Sequence, residues 1–585
     1  MVYLYLKIRG IKNILVVRFL SSIIVLLIVA QSVIVEGQVF ENKYDMRAPL
    51  NIPMVFAGNF GELRQTHFHS GVDFKTNGRE GYRVYASEDG YVSRLLVSAS
   101  GYGNAVYVTH PNGLLTVYGH LSRFNKEIAK YVKDLQYKNE SWAIDVNLPK
   151  GVLKVSRGDK LGLSGNSGSS MGPHLHYEIR DAKTEDVINP FLFFRIKDKI
   201  RPKISSLCVY DLTRFVRYYD VEPHKYNLRG KVGGYYSLKD TVVVPSKVGF
   251  GLHVDDFLNG SWNKCGVYTI KMYIDNELLY NVEMDRFSFV DSREINVLKD
   301  MKSDLLYSDK IYKTWLPCSC AFDGLKCSLG DGILIAEKGK EYNVRLEVAD
   351  YAGNRSGVSF VAKVDVRGKE DTSFCDGVLV SESSRKLFRI GGMQVDFGES
   401  SVYGDIRLDT AKYVSDDSLL FAPEVYRVGS EYIPLKKKVE LSFKVGVSGV
   451  KGLFVVRKEN NGDFCYVGGE YSNGFLKVRV SRLGDFALRK DTVSPVLVPL
   501  YDYNRKWLQQ YSVLRFKVND EESLVSSYRA ELDGNWVWSY YDDDKSQIVC
   551  YVDKTRSNVK GLVDFVIKVK DVCGNESVFS RKFYL

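Results

Sequence analysis

The segment GPHLHYEIRD, Gly172 to Asp181, carries two histidines two residues apart. Leu175, Tyr177 and Ile179 alternate with His174, His176, Glu178 and Arg180, the period of a β-strand with one face in a core. On such a strand His174 and His176 point the same way, about 6.6 Å apart. Such a pair can hold one metal ion between them, or one can bind it while the other faces a reacting group. It can also be two hydrogen-bonded polar residues on a wet sheet face.

Further upstream, THFHSGVDF places His69 and Asp73 four positions apart. On a straight strand that is about 13 Å, too far for one metal with bonds near 2 Å. A helix would bring the two together, but Gly71 followed by β-branched Val72 is poor helix sequence. A shared metal therefore requires a sharp bend at Ser70–Gly71, which glycine allows. His69, Asp73 and one histidine of the pair make three N/O ligands. That is the number found in catalytic zinc sites, which leave a position open, rather than the four of closed structural ones. His120, in VYGHLS, and the other member of the pair are then left over.

These residues lie on short strands and glycine turns running from about Asn59 to Arg180, with hairpin signals at SEDG and HPNG. One helix interrupts them, over about 122–140. Phe124, Ile128, Tyr131, Val132 and Leu135 recur at helical spacing, with Ser122 placed as the cap. Its apolar face is expected on the sheet, and its place just after His120 would let it wall one side of a groove. The glycines of LGLSGNSGSSMGPHLH either let backbone approach an extended peptide closely or form plain turns.

The chain has 585 residues, too many for one core, so several domains are expected. Its net charge of +10 is spread thinly, without the dense Lys/Arg block that tracks a nucleic-acid backbone, so no nucleic-acid partner is expected. Residues 1–37 join basic residues to the apolar run FLSSIIVLLIVAQSVIV and then small residues. They read as a secretory signal, or alternatively as an uncleaved membrane anchor.

Together GNFGELRQTHFHSGVDF, GYGNAVYVTHPNGLLTVYGHL and VSRGDKLGLSGNSGSSMGPHLHYEIR resemble the M23 family of zinc peptidases, of the lysostaphin and LytM type. The resemblance covers roughly Asn59 to Pro190. It implies an antiparallel-sheet peptidase domain with one Zn2+, held by His69, Asp73 and His176. It further implies that His120 and His174 are the catalytic pair that does not bind metal. Neutral imidazoles there can take a proton from an attacking water or stabilise a developing oxyanion. The implied substrate is peptidoglycan, cut in its peptide stems or cross-links, and the implied location is the periplasm or cell envelope. His67 and His110 fall outside the family pattern and are expected at a rim or turn. His224 and His253 are isolated and read as structural.

The whole chain is expected to be mostly β, the 38–196 peptidase domain being followed by several β-sandwich, immunoglobulin-like modules. These divide as 197–366 (one large module or two), 367–490 and 491–585. VADYAGNRS and VKDVCGNES share V-x-D-x-x-G-N-x-S, and the module openings RPKISSLCVYD and VSPVLVPLYDY also rhyme. Asp350 and Asp571 in these motifs are read as turn caps, with calcium ligation the lesser alternative. Of the nine cysteines, those in CSCAFDGLKC read as a local disulfide or free thiols rather than a zinc site. The β modules are candidates for binding envelope proteins. Two other readings stand beside the enzyme: a non-catalytic relative that activates cell-wall amidases, and an envelope scaffold or adhesin. If the N-terminal region suffices by itself, deleting Arg201 onward leaves its chemistry and wall association intact.

Overall fold

Alternating apolar residues and glycine turns build an antiparallel sheet around the histidines. The computed structural model describes residues 46–213, 219, 221–228, 232–238, 240–364, 377–446, 450–503, 513–543, 545–553 and 561–584. The signal or anchor expected over 1–37 lies outside the described residues. Among those described, no helix is long and apolar enough to cross a membrane.

Chain order gives β1 (Phe56–Gly58), β2 (Val72–Lys75), β3 (Arg83–Tyr85), β4 (Gly90–Val97), β5 (Ala105–Thr109), β6 (Leu114–Gly119) and β7 (Leu121–Phe124). Helix α1 (Lys126–Asn139) follows, then β8 (Ile144–Asn147), β9 (Lys154–Val155), β10 (Lys160–Ser164), β11 (His174–Asp181) and β12 (Val187–Ile188). The main sheet runs β1-β2-β11-β6-β5-β4-β8, and β3-β10-β7 form a small second sheet. Leu175, Tyr177 and Ile179 of β11 are fully buried with Phe74, Tyr118 and Val72 in the core beneath, which turns His174, His176 and Glu178 to the opposite face. Mostly β, with an antiparallel peptidase sheet followed by β modules, is the fold class the sequence leads one to expect.

Helix α1 departs from expectation at its start. Its cap is Asn125, whose side chain accepts from the Ile128 N–H at 2.8 Å. Ser122 lies in β7 instead and donates to Ser164 O at 2.8 Å, and Phe124 is also strand. Asparagine three residues before a free N–H is as good a cap as serine, and β7's pairing with β10 claims Ser122. Ile128 and Val132 pack inward, while the outer face meets the last module. Trp538 donates to Gln136 at 2.8 Å, Lys133 pairs with Asp553 at 2.6 Å, and Tyr137 packs edge-on against Trp536. The helix is thus a bracket for the C-terminal module.

Strands from 203 to 364 form one sandwich of a five-stranded and a seven-stranded sheet. Two five-stranded sheets follow between 386 and 490, and two four-stranded sheets from 496 to 584. The shared nine-residue motif has one geometry in both copies. Asp350 accepts from Asn354 N and Nδ2 at 2.8 and 2.6 Å, and Asp571 from Asn575 N and Nδ2 at 2.9 and 2.8 Å. The motif serine ties back to the module's opening proline: Ser356 to Pro202 O at 2.6 Å, Ser577 to Pro495 O at 2.5 Å. Eight cysteines are free, including Cys318, Cys320 and Cys327; Cys375 lies outside the described residues.

The first sandwich is not separable from the peptidase sheet. β12 pairs with Arg286–Phe287 of the sandwich. Phe60, Leu63 and Phe68, all buried, sit in the sandwich's core cluster, with Phe68 stacked on Phe322 at 4.8 Å and Phe60 against Phe287 at 4.8 Å. Burial of each contributes about 1.5–3 kcal/mol. A chain ending at Ile196 is therefore expected to aggregate. A soluble monomer with native strand content, read by size-exclusion chromatography and circular dichroism, would contradict this packing.

Candidate functional site

The β2–β11 register sets Asp73 directly opposite His176, with Gly119 of β6 on the other flank. His69 reaches them because the chain bends at Gly71. No left-handed φ is involved; glycine is required there because a Cβ would lie 2.3 Å from Tyr177 O and 2.8 Å from Glu178 Cγ. Close approach to β11, rather than conformational freedom, makes the bend possible.

His69 Nε2, Asp73 Oδ1 and His176 Nδ1 then converge. The separations are 3.1 Å from His69 to Asp73, 2.9 Å from His176 to Asp73 and 3.2 Å between the imidazoles. The outer nitrogens are committed elsewhere. His69 Nδ1 donates to Asn59 O at 2.7 Å, and His176 Nε2 donates to Glu178 Oε1 at 2.8 Å. Both inward nitrogens therefore present lone pairs when the rings are neutral, beside a carboxylate oxygen. Three electron pairs facing one another in a buried site call for a cation. The spacing is close to the edge of about 3.3 Å that tetrahedral zinc with bonds near 2.0–2.1 Å would impose.

The charges respond accordingly. Burial works against a charged His176, but its hydrogen bonds with Asp73 and Glu178 raise its pKa to about 9. Asp73 sits well below the usual carboxylate range, since His69, His174 and His176 outweigh the cost of burial. Its second oxygen accepts from Arg64 at 3.0 Å.

His120 enters from the other flank through a left-handed residue, φ 57°, between β6 and β7. For a non-glycine residue this costs on the order of 1–3 kcal/mol, a strain of the kind found at functional sites. Its amide donates to Tyr102 O at 2.8 Å, and its Nδ1 donates to Ser167 O at 2.7 Å, leaving Nε2 free. Burial, then His176 and His174, push His120 down to about 4, so the ring is neutral at pH 7. His174 is held alike: Nδ1 donates to Gly172 O at 2.8 Å, and Nε2 stands 3.5 Å from Asp73 Oδ1. The two rings lie 4.7 Å apart, centre to centre.

All five residues singled out from the sequence thus meet in one place. His67 is exposed on the turn before His69, and His110 is buried in its hairpin between Asp89 O and Thr116. The glycines around 165–172 do something not foreseen. A Cβ on Gly168 would lie 2.3 Å from Gly103 N, and one on Gly103 2.4 Å from Ser167, so these positions let two loops of the chain interlock behind His120.

Glu178 is the residue of this cluster not singled out in the sequence. Fully buried, it accepts from His176, from Ser70, from Tyr102 at 2.7 Å and from Arg180 Nε at 2.7 Å. Despite burial, Arg180 and His176 keep it ionised far below its ordinary range. Its signal was present, since it stands two residues beyond His176 on the same strand face. Asn59 and Arg64 carried no such pattern.

Residues 67–137, which include His69, Asp73 and His120, match the profile described as "Peptidase family M23". The chain therefore contains an M23 peptidase domain. Residues 378–491 match one described as "Zu5-like domain". The chain is 38% identical over 157 residues to "Peptidoglycan DD-endopeptidase ShyA" of Vibrio cholerae, covering 25% of this chain and 30% of that one. To "DD-carboxypeptidase/endopeptidase Mpg" of Neisseria meningitidis it is 33% identical over 118 residues, 20% of this chain and 21% of the relative. The match thus spans under a third of these relatives' length. The catalytic domain of the prophage-encoded M23 protein EnpA from Enterococcus faecalis, solved as a single-site variant, aligns at 25% identity. It covers 25% of this chain and 95% of that one, with a TM-score of 0.19.

Replacing Glu178 by Gln removes the charge that holds the His176 N–H. Zinc affinity is expected to fall about 10- to 100-fold, as for other residues that orient a metal-binding histidine. Competition with a chromophoric chelator measures it, and unchanged affinity would remove Glu178 from the site.

Proposed function

We propose that this chain is an exported zinc-dependent endopeptidase that hydrolyses peptide stems or cross-links of peptidoglycan. The observation that carries the reading is the convergence of His69 Nε2, Asp73 Oδ1 and His176 Nδ1, with two further imidazoles alongside. The metal ligands are assigned as His69, Asp73 and His176, and the catalytic residues as His120 and His174. A zinc ion held there supplies Lewis-acid polarisation of a carbonyl and lowers the pKa of water.

The chain's own groups do the rest. His120, neutral at working pH with Nε2 unclaimed, can accept a proton from a water attacking the scissile carbonyl and return it to the leaving amine. His174, fixed through Gly172, brings a second Nε2 to the same space, 3.5 Å from Asp73 Oδ1. Glu178 and Asn59 lock the tautomers of His176 and His69, so the ligand nitrogens are oriented before anything binds. Peptidoglycan as substrate is supported by the names of the relatives matched over this domain. An address in the periplasm or cell envelope is supported by the same names and by the signal-like sequence of 1–37.

The test is incubation of the chain from Gln38 onward with purified cross-linked peptidoglycan, the fragments read by mass spectrometry. New peptide ends are expected, abolished by chelation. In His120→Ala and His174→Ala, zinc should stay bound while the rate falls about 10²- to 10⁴-fold, the usual share of a general acid–base group. Cross-links left intact by the zinc-loaded protein would instead favour a non-catalytic activator.

A further inference from the structure

The first and last sandwiches share more than the hairpin motif. An aspartate stands four residues before each opening proline, Asp198 before Pro202 and Asp491 before Pro495. A second directly follows the strand paired with the module's opening strand, Asp256 after Lys247–Asp255 and Asp520 after Val513–Asn519. The third is the hairpin aspartate, Asp350 or Asp571. In the first sandwich, Asp350 lies within side-chain hydrogen-bond reach of Asp198, and Asp256 feels the charge of both. In the last, carboxylate oxygens of Asp491 and Asp571 and Cys573 Sγ lie within 4.8 Å of one another, and Cys573 feels Asp520 as well.

Turn capping occupies both oxygens of Asp350 and Asp571 but at most one oxygen of each of the other four. Asp198 and Asp491 each use Oδ1 to accept from the amide two residues on, at 3.3 Å from Ile200 and 2.8 Å from Val493. In both, Oδ2 is buried without a partner. Asp520 uses Oδ1 for Ser523 N at 2.7 Å and likewise leaves a buried Oδ2 unpartnered. Asp256 is 1% exposed and neither of its oxygens makes a hydrogen bond of acceptable geometry, although the Phe257 amide is close by. Asp491 is also 1% exposed. A buried carboxyl group without a partner is destabilising, and repeating that cost at matching positions of two modules calls for a ligand.

We propose that each of these two sandwiches binds one Ca2+ ion at this end, through Asp198, Asp256 and Asp350 in the first and Asp491, Asp520 and Asp571 in the last. The donors are all carboxylate oxygens on three separate chain segments. That suits calcium, which takes six to eight oxygens at about 2.3–2.6 Å in irregular arrangements, better than octahedral Mg2+. Zinc would favour the thiol of Cys573, but the equivalent residue of the first sandwich is Ala352, so the sulfur is not part of the repeated set. Each ion clasps the linker entering the module to the module's own strands. At the first junction the clasp is close to the active site. Asp256 and Cys265 exchange backbone hydrogen bonds, neighbouring Gly266 exchanges hydrogen bonds with the Asn59 side chain, and Asn59 O holds His69.

The test is calorimetric titration of CaCl2 into the chain from Gln38 onward, carrying one equivalent of zinc, with MgCl2 as the parallel probe. Two Ca2+ per chain are expected, one in Asp256→Asn, one in Asp520→Asn and none in the double variant. Melting curves add a readout that a purely structural role would not give. Asp256→Asn should not lower the melting temperature in EGTA, since it replaces a buried carboxyl group that has no hydrogen-bond partner, and should lower it relative to the parent in millimolar Ca2+. Absence of Ca2+ binding at millimolar concentration, equal binding of Mg2+, unchanged stoichiometry in the variants, or a melting temperature lowered equally with and without Ca2+ would each overturn the proposal.

Discussion

With both rings neutral, two imidazole lone pairs and a carboxylate oxygen 2.9 to 3.2 Å apart repel one another, and much of the surrounding structure serves to hold them there. Asp73 and His176 are fixed by strand register, which is as rigid as the sheet and its core of Phe74, Tyr118 and Tyr177. His69 has no strand to hold it. Its position depends on a bend that only glycine allows against β11 and on one backbone carbonyl, that of Asn59. The weakest geometric link in the triad is therefore the segment from Asn59 to His69.

That segment is secured from outside the peptidase sheet. Gly266 of the first sandwich exchanges two hydrogen bonds with the Asn59 side chain, at 2.7 and 2.8 Å. Lys299, almost fully buried, donates to the carbonyls of Arg64 and Gln65 at 2.8 Å each, and Lys310 pairs with Glu62 at 3.2 Å. Ser292 accepts from Phe68 N, whose side chain is buried among the sandwich's aromatics. A module that could have been a passive extension thus supplies the floor beneath His69. Arg64 then serves both sides, its backbone held by Lys299 and its side chain on Asp73.

How much of this could be read from the sequence depended on whether the cause was local. The alternation of β11 and the demand for a bend at Ser70–Gly71 follow from chain geometry within a few residues, and both features are present in the structure. The repeated hairpin motif was equally local and its turn-capping aspartates stand where expected. Helix α1 was legible as a helix, but Ser122 and Asn125 are both good caps by type. The choice between them came from β7 pairing with β10, a contact some forty residues away. Glu178 was in plain sight on the right strand face, yet a carboxylate beside an arginine there reads equally as a surface ion pair. Only burial on all sides by Ser70, Tyr102 and Arg180 shows that it holds His176. Nothing near Asn59 or Phe68 in the sequence points to partners more than two hundred residues away.

The first sheet positions His120, His174 and His176 through contacts within 46–196, while His69, and Asp73 through Arg64, also draw on the following sandwich. Once a following sandwich is recruited to hold that loop, the sandwich must itself be oriented, and the junctions between modules become structural elements of the site. β12 extends the peptidase sheet onto the sandwich, Tyr403 of the next module reaches back to Arg293 O at 3.0 Å, and the last module returns to clamp α1 through Trp538. The last module therefore touches the peptidase domain on the side of α1, while the first touches it on the side of the His69 loop. The β modules form a connected frame joined to the histidine-bearing sheet at both places, and disturbance at a module junction has a physical route to His69, Asp73 and His176.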